Sequence, residues 1–244
     1  MIDIHSHILP GVDDGAQNIN EALDMLRMAV EQGVTTQVLT PHIHMGRFDN
    51  TYSELKEQFF RFRDIVSSAN IPIKILLAAE LRVGPELIQL IEREQMPWIG
   101  KHKGKKTFLL EFPRTEIPYG SDNLVRWLTQ KSIVPIIVHP ERNKTFLRNR
   151  KKLQTFIDLG CPLQITASSL VGKFGPDVQK MAAQLLINGD VSFIASDCHN
   201  LKGRAPDLVN GYYQAKSILG EASAKNLTET AALGLIKHND FQSL

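Results

Sequence analysis

The sequence predicts an α/β fold of seven strand–helix units arranged as a TIM-like barrel, and three observations carry that prediction. Short runs of aliphatic and β-branched residues alternate with longer stretches whose apolar residues recur every three or four positions, the pattern of helices packed about a parallel sheet. Residues that start or stop helices fall between these runs. With 43% hydrophobic residues in 244, the chain has material for a large core.

Taken in order, Ile2–Ile4 is the first strand, and its alternation puts His5 and His7 on the same side. Asn20–Gln32 carries Ala22, Leu23, Leu26, Ala29 and Val30 on one helical face, with Gly33 as the residue that ends it. Thr35–Leu39 is the second strand. Thr51-Tyr52-Ser53-Glu54 reads as a capping box opening a helix that turns Leu55, Phe59, Phe62 and Val66 inward. Strands at Ile73–Ala78, Phe108–Leu110, Val134–Val138, Leu163–Ile165 and Val191–Ala195 then alternate with helices at Pro85–Arg93, Asn123–Lys131, Lys151–Leu159 and Pro176–Asn188. Two or three helices from Pro206 onward close the chain. Seven such pairs fit a barrel better than an open doubly wound sheet, although periodicity does not prove closure. No linker, low-complexity segment or repeat interrupts the pattern, so residues 1–244 read as one domain.

Bulk charge excludes a broad nucleic-acid footprint: Lys plus Arg number 28 against 26 Asp plus Glu. The one basic run, Lys101-His102-Lys103-Gly104-Lys105-Lys106, reads as a solvated loop ahead of a strand. Cys161 and Cys198 give no disulfide framework and fit a reducing compartment. The chain opens directly into a strand and holds no apolar run of spanning length, so a cytoplasmic protein with no membrane insertion is expected.

Active sites of such folds form at the C-terminal ends of the strands. Six of the seven strands deliver a His, Asp or Glu there: His5 and His7 with Asp14 in the following loop, then His42, Glu80, Glu111, His139, and finally Asp197 and His199. The sixth strand offers only Gln164, Thr166 and Ser168. A charged or imidazole group at the end of a buried apolar strand is expensive to desolvate unless it is paired or bound to a metal. One of them is ordinary; nine together predict a multinuclear metal centre. Imidazole and carboxylate donors favour Mn²⁺, Fe or Zn²⁺, and nine donors suit two or three ions sharing a bridging carboxylate. His44, His102 and His238 are left out, the last two as solvated side chains. Arg142 follows His139 and Arg204 follows His199 closely, and a guanidinium beside metal ions is suited to gripping phosphate oxygens. The favoured chemistry is phosphoester hydrolysis, with hydroxide generated on a metal pair attacking phosphorus in line.

These residues also carry a resemblance. Asp3-Ile4-His5-Ser6-His7, Asp13-Asp14-Gly15, Thr40-Pro41-His42, Glu80, Glu111-Phe112, His139-Pro140-Glu141-Arg142 and Ala195-Ser196-Asp197-Cys198-His199-Asn200 together resemble the polymerase-and-histidinol-phosphatase (PHP) superfamily. Within it, the chain is most similar to the bacterial metal-dependent tyrosine-protein phosphatases of capsule and exopolysaccharide operons. The resemblance implies a distorted (β/α)7 barrel holding three ions, usually manganese. It implies His5, His7, Glu80 and Asp197 on one ion, Glu80, Glu111 and His139 on a second, and Asp14, His42 and His199 on the third. Arg142 and Arg204 would bind the phosphate, with Asp197 part of the catalytic set. The implied substrate is phosphotyrosine in the tail of a partner bacterial tyrosine kinase that regulates polysaccharide export.

Four other readings compete. Cys198 to Arg204 fits Cys-x5-Arg, the pattern of cysteine-dependent tyrosine phosphatases, but continued strand alternation would turn Cys198 away from Asp197 and His199. A PHP-type histidinol-phosphate phosphatase or other phosphoesterase would favour long lids, whereas the predicted loops are mostly short. A nuclease acting on nucleic-acid ends conflicts with the near-neutral charge. A binding module that recognises phosphotyrosine without cleaving it would share the ligand set. The segment Phe112–Gly120, with Pro113, Pro118 and Tyr119, reads as a wall of an open groove for a peptide.

Overall fold

A computed structural model describes residues 1–242. Its strands are β1 (Ile2–Asp3), β2 (Thr36–Leu39), β3 (His42–Ile43), β4 (Lys74–Leu77), β5 (Glu80–Arg82), β6 (Gly100–His102), β7 (Lys105–Thr107), β8 (Leu109–Glu111), β9 (Ile136–Val138), β10 (Leu163–Thr166) and β11 (Val191–Ala195). Hydrogen bonds order them as β1-β2-β4 and as β11-β10-β9-β8-β5-β3, all parallel, with β6-β7 a separate antiparallel hairpin. The α/β class and the seven strand–helix units are as the sequence predicts.

Two features link the sheets into a ring. After β2 the chain bends at Thr40-Pro41 and resumes as β3; after β4 it bends at Ala78-Ala79 and resumes as β5. The bends keep the ladder, because Ala78 N–H donates to Leu39 O at 2.9 Å and Glu80 N–H to Pro41 O at 3.1 Å. At the other seam, Asp197 N–H donates to His5 O and His7 N–H to Cys198 O, both at 2.9 Å. The buried Asp3 carboxylate reinforces that seam, accepting from Ser196 N–H at 3.0 Å and His5 N–H at 3.3 Å. The first and last strands are thus joined where their functional residues emerge.

Local sequence accounts for the helices that cover the ring. In the helix Tyr52–Ser68 both bonds of the predicted capping box form, and Leu55, Phe59, Phe62 and Val66 are its buried residues. The helix Ile19–Glu31 buries Ala22, Leu23, Met25, Leu26 and Ala29, and the chain leaves it through Gly33 at φ 84°. Each large side chain buried in this way contributes about 1.5–3 kcal/mol. No helix of the described residues is long and apolar enough to cross a membrane.

The basic run departs from the expectation of a solvated loop. It is the hairpin β6–β7, turning at Lys103-Gly104 with both residues left-handed (φ 48° and 81°), which two-residue hairpins need. His102 is correspondingly half-buried, its ring edge-on to Phe193 at 5.9 Å, rather than solvated; His238 is exposed, in the turn after the last helix. β4 is the edge of its three-stranded sheet, and a side chain covers its free side. Buried Asn239 donates to Leu77 O at 3.0 Å, Trp98 O at 3.3 Å and Ile99 O at 3.4 Å. Replacing it leaves buried carbonyls unpaired, so Asn239→Ala is expected to lower stability by about 1–3 kcal/mol in urea unfolding. An unchanged midpoint would remove this residue from the set that holds the ring.

Candidate metal centre

The same rim carries every predicted donor. His5 and His7 follow β1, Asp14 lies in the next turn, His42 opens β3, Glu80 opens β5, Glu111 ends β8, His139 follows β9, and Asp197 and His199 follow β11. All nine fall into four overlapping clusters whose donor atoms lie within 4.8 Å of one another. These are His7, Asp14, His42 and His199; His5, His7 and Glu80; His5, His139 and Asp197; and His42, Glu80 and Glu111.

At the centre, the Nε2 atoms of His5 and His7 are 3.3 Å apart and each is 3.3 Å from Glu80 Oε2. They lie 3.4 and 3.5 Å from Asp197 Oδ1. Donors about 2.1 Å from a shared tetrahedral ion stand about 3.4 Å from one another, so these atoms have the spacing of a divalent-ion cage. Asp197 Oδ1 and His42 Nδ1 are buried without a hydrogen-bond partner. Buried polar atoms are normally satisfied, so orphans distributed among these donor clusters fit bound cations. Glu80 is the shared carboxylate: its Oε1 meets His139 Nε2 at 2.8 Å while Oε2 faces His5, His7 and His42. His139 also groups with His5 and Asp197, and Glu111 with His42 and Glu80.

A second row fixes the first, and here the sequence was less legible. His7 Nδ1 is 2.7 Å from Asp13 Oδ2, an oxygen that also accepts from His42 N–H at 2.9 Å. His5 Nδ1 is 2.7 Å from Gln164 Oε1, which accepts the ring proton and leaves Nε2 as the donor toward the centre. The sixth strand therefore does serve the site, through an amide that metal-ligand chemistry would not single out. Gly15 is required by close approach, since a Cβ there would meet His7 O at 1.9 Å.

Backbone strain aims two of the nine. His139 and Asp197 are left-handed, at φ 37° and 53°. The regular alternation of β11 thus ends at Asp197. Asp197 and His199 nevertheless both reach the centre, and Cys198 is buried in the core. Burial pushes its thiol up. The N–H groups of Lys202, Gly203 and Arg204 are taken by Asn200 Oδ1 at 3.0, 2.9 and 3.1 Å, and that of His199 by Arg204 O at 2.7 Å. Neither the thiolate nor the free backbone donors of a cysteine phosphatase loop are present.

Arg142 and Arg204 both donate to Asp197 Oδ2, at 2.5 and 2.6 Å, the oxygen that the imidazoles leave free. The Arg142 guanidinium also lies over the Phe174 ring at 4.5 Å. With Arg47, Arg82 and Arg114 they line a cavity of about 190 Å³ above the cluster.

Burial and mutual charge set the protonation of the group. Burial opposes charge on His5, but Glu80 and Asp197 outweigh it and raise its pKa; on His7, Asp13 outweighs burial and raises it further. Burial opposes charge on Glu80 and Asp197 too, yet His5 and His42 hold Glu80, and Arg204 and His5 hold Asp197, well below the usual carboxylate range. Burial, with the neighbouring Glu80, lifts Glu111 to about 8, whereas burial lowers His42 to about 4. Protons on His5, His7 and Glu111 must leave before these atoms can bind a cation. Metal affinity is therefore expected to rise as pH is raised from about 6 to above 8, with proton release on binding. Titration calorimetry in buffers of different ionisation enthalpy measures this; affinity flat across that window, without proton release, would contradict it.

The family described as capsular polysaccharide synthesis, CpsB/CapC, matches residues 1–237. The chain is 33% identical over 242 residues to the tyrosine-protein phosphatase YwqE of Bacillus subtilis, covering 99% of this chain and 94% of that protein. It is 30% identical over 236 residues to the tyrosine-protein phosphatase CpsB of Streptococcus pneumoniae, covering 93% and 94%. A solved structure from work on these two proteins, which it calls unique metal-dependent tyrosine phosphatases, superposes with a TM-score of 0.89 at 33% identity, over 97% of this chain and 94% of that one. A D-hydantoinase at 13% identity and a TM-score of 0.54, covering 95% of this chain and 69% of that one, shares the fold alone. On the nearly full-length match of sequence and fold, the chain belongs to the CpsB/CapC family.

Proposed function

We propose that this chain is a metal-dependent protein-tyrosine phosphatase that removes phosphate from the tail of a partner bacterial tyrosine kinase in the cytoplasm and so regulates capsular or exopolysaccharide synthesis. The observation that carries the proposal is the convergence of nine His, Asp and Glu donors beneath an arginine-lined cavity. Its relatives are named tyrosine-protein phosphatases at 30% and 33% identity over nearly their full length.

His5, His7, Glu80 and Asp197 hold one ion in this reading, Glu80, Glu111 and His139 a second, and Asp14, His42 and His199 a third, with Mn²⁺ favoured over Fe or Zn²⁺. Bound divalent ions supply Lewis acidity toward water and toward a phosphoryl oxygen. The protein's own part is positioning and charge. Asp197 Oδ2 fixes both guanidiniums, and Arg204 Nε, buried without an acceptor, remains to be satisfied by a phosphate oxygen. Charge on the transferring phosphoryl group spreads over its equatorial oxygens, which planar fork donors match. A tyrosine phenolate, with a conjugate-acid pKa of about 10, leaves more readily than a serine alkoxide and needs less protonation.

Hydrolysis of p-nitrophenyl phosphate and a phosphotyrosyl peptide, with histidinol phosphate as the competing substrate, tests the reading. Activity is expected to vanish with chelator, return with Mn²⁺ and survive Cys198→Ser. His139→Ala or Asp197→Ala is expected to lose bound metal and more than about a hundredfold in rate. Wild-type turnover in either variant would refute the ligand assignment, and preference for histidinol phosphate would replace the substrate. Arg204→Ala is expected to raise KM for the phosphopeptide about tenfold with ion content unchanged. Loss of bound metal by elemental analysis would contradict a phosphate-binding role for this residue.

A further inference from the structure

Of the five arginines lining the cavity, four have a carboxylate partner. Arg142 and Arg204 sit on Asp197, Arg82 is 3.1 Å from Glu111 Oε2, and Arg47 is 3.4 Å from Asp14 Oδ2. The fifth, Arg114, is exposed and has no ion-pair partner among the described residues, although it lines the same mouth. Its backbone is firmly held. Lys144 N–H donates to Arg114 O at 2.9 Å, Asn143 Nδ2 to Pro113 O at 2.6 Å, and Thr145 Oγ1 to Thr115 O at 3.0 Å. Residues 143–145 follow Arg142 directly. The segment carrying Arg114 is therefore bonded to the turn carrying a phosphate-binding arginine, and the spacing of the two backbones is fixed.

A cation anchored at its main chain and free at its guanidinium, beside an anion site, is placed to meet a second anion. Such a cation is local: the chain carries a net charge of only +2, yet five arginines meet at one mouth. A cavity of about 190 Å³ has room for a phosphorylated side chain, and the residues flanking it stay at the rim. In an extended peptide, a neighbour one or two positions away is displaced by about 3.5–7 Å, within the span of an arginine side chain.

We propose that Arg114 forms a second anion subsite that takes the carboxylate of an acidic residue next to the phosphotyrosine, so that the preferred substrate is an acidic phosphotyrosine segment. This rests on the phosphatase reading and adds its substrate class.

Kinetics on three phosphotyrosyl peptides of one sequence test it, with Asp, Asn or Lys at the two positions on either side. For the wild type, kcat/KM is expected to fall in the order Asp, Asn, Lys, with about fivefold between the first two, carried by KM and weakened by salt. In Arg114→Ala the Asp-to-Asn ratio is expected to approach 1, and in Arg114→Glu the order to invert toward Lys, which a merely structural role would not produce. Equal values for the three peptides in the wild type, or an unchanged ratio in both variants, overturns the subsite. Wild-type turnover of p-nitrophenyl phosphate with Mn²⁺ separates the two failures. If it is present while the peptides are equal, this inference alone falls; if it is absent, the phosphatase reading falls and the subsite with it.

Discussion

Asp197 is the constraint on which the site depends. It is a buried carboxylate on a left-handed residue at the seam where the first and last strand ends are joined. One oxygen is taken by two guanidiniums and the other lies 3.4 and 3.5 Å from the imidazoles of His5 and His7. Leaving a buried carboxylate unpaired is costly, and removing one partner of such a group usually destabilises by more than the pair contributed. The residue is therefore tied at once to barrel closure, to the donor cluster and to both arginines. Its backbone N–H bonds His5 O, so the geometry of the cluster is fixed partly by the main chain.

The other donors are held by the same economy of contacts. Asp13 accepts from His7 and from the backbone of His42, two donors that come from different strands. Gln164, on β10, holds His5 in the same way. Glu141, beside Arg142 and fully buried, accepts from Ser169 Oγ at 2.6 Å and Thr166 N–H at 2.9 Å, which seats the Pro140–Arg142 turn on β10. Each such partner removes a rotation that a metal ligand or phosphate-binding side chain would otherwise have.

What the sequence made legible and what it hid divide along a physical line. Side chains whose placement follows from alternation or capping were readable: His5 and His7 turned toward one another in the extended segment after β1, and the inward face of Tyr52–Ser68. The bends at Thr40-Pro41 and Ala78-Ala79 were not, because each resumes as a strand of only two or three residues, too short for a period. The left-handed His139 and Asp197 were hidden for a related reason: Asp and His adopt positive φ more often than most residues, but only a small minority of them do, so residue type alone does not mark the position. Gln164 was passed over because an amide is a poor ligand, though a buried glutamine at a strand end invites the question of what it bonds. The basic run at residues 101–106 misled through composition: Lys103-Gly104 is also a hairpin turn, and charge on an edge hairpin is compatible with strand.

The protonation pattern shows how one chain can fold around so much like charge. Glu80 and Asp197 remain anionic because imidazolium and guanidinium groups surround them, while Glu111, crowded by Glu80, is pushed to about 8 and stays protonated near neutrality. Glu80 and Asp197 raise the pKa of His5 and Asp13 chiefly raises that of His7, while both imidazoles face Glu80 and Asp197 at 3.3–3.5 Å, where a divalent cation would answer the same negative charge. His42, His139 and His199 are pushed by burial toward the neutral form in which an imidazole can ligate. Cations and protons thus satisfy one electrostatic demand at one set of atoms. The buried carboxylates Glu80 and Asp197 are accordingly paired within the chain itself, with the imidazoles of His5 and His7 and the guanidiniums of Arg142 and Arg204, which offsets the cost of burying their charge.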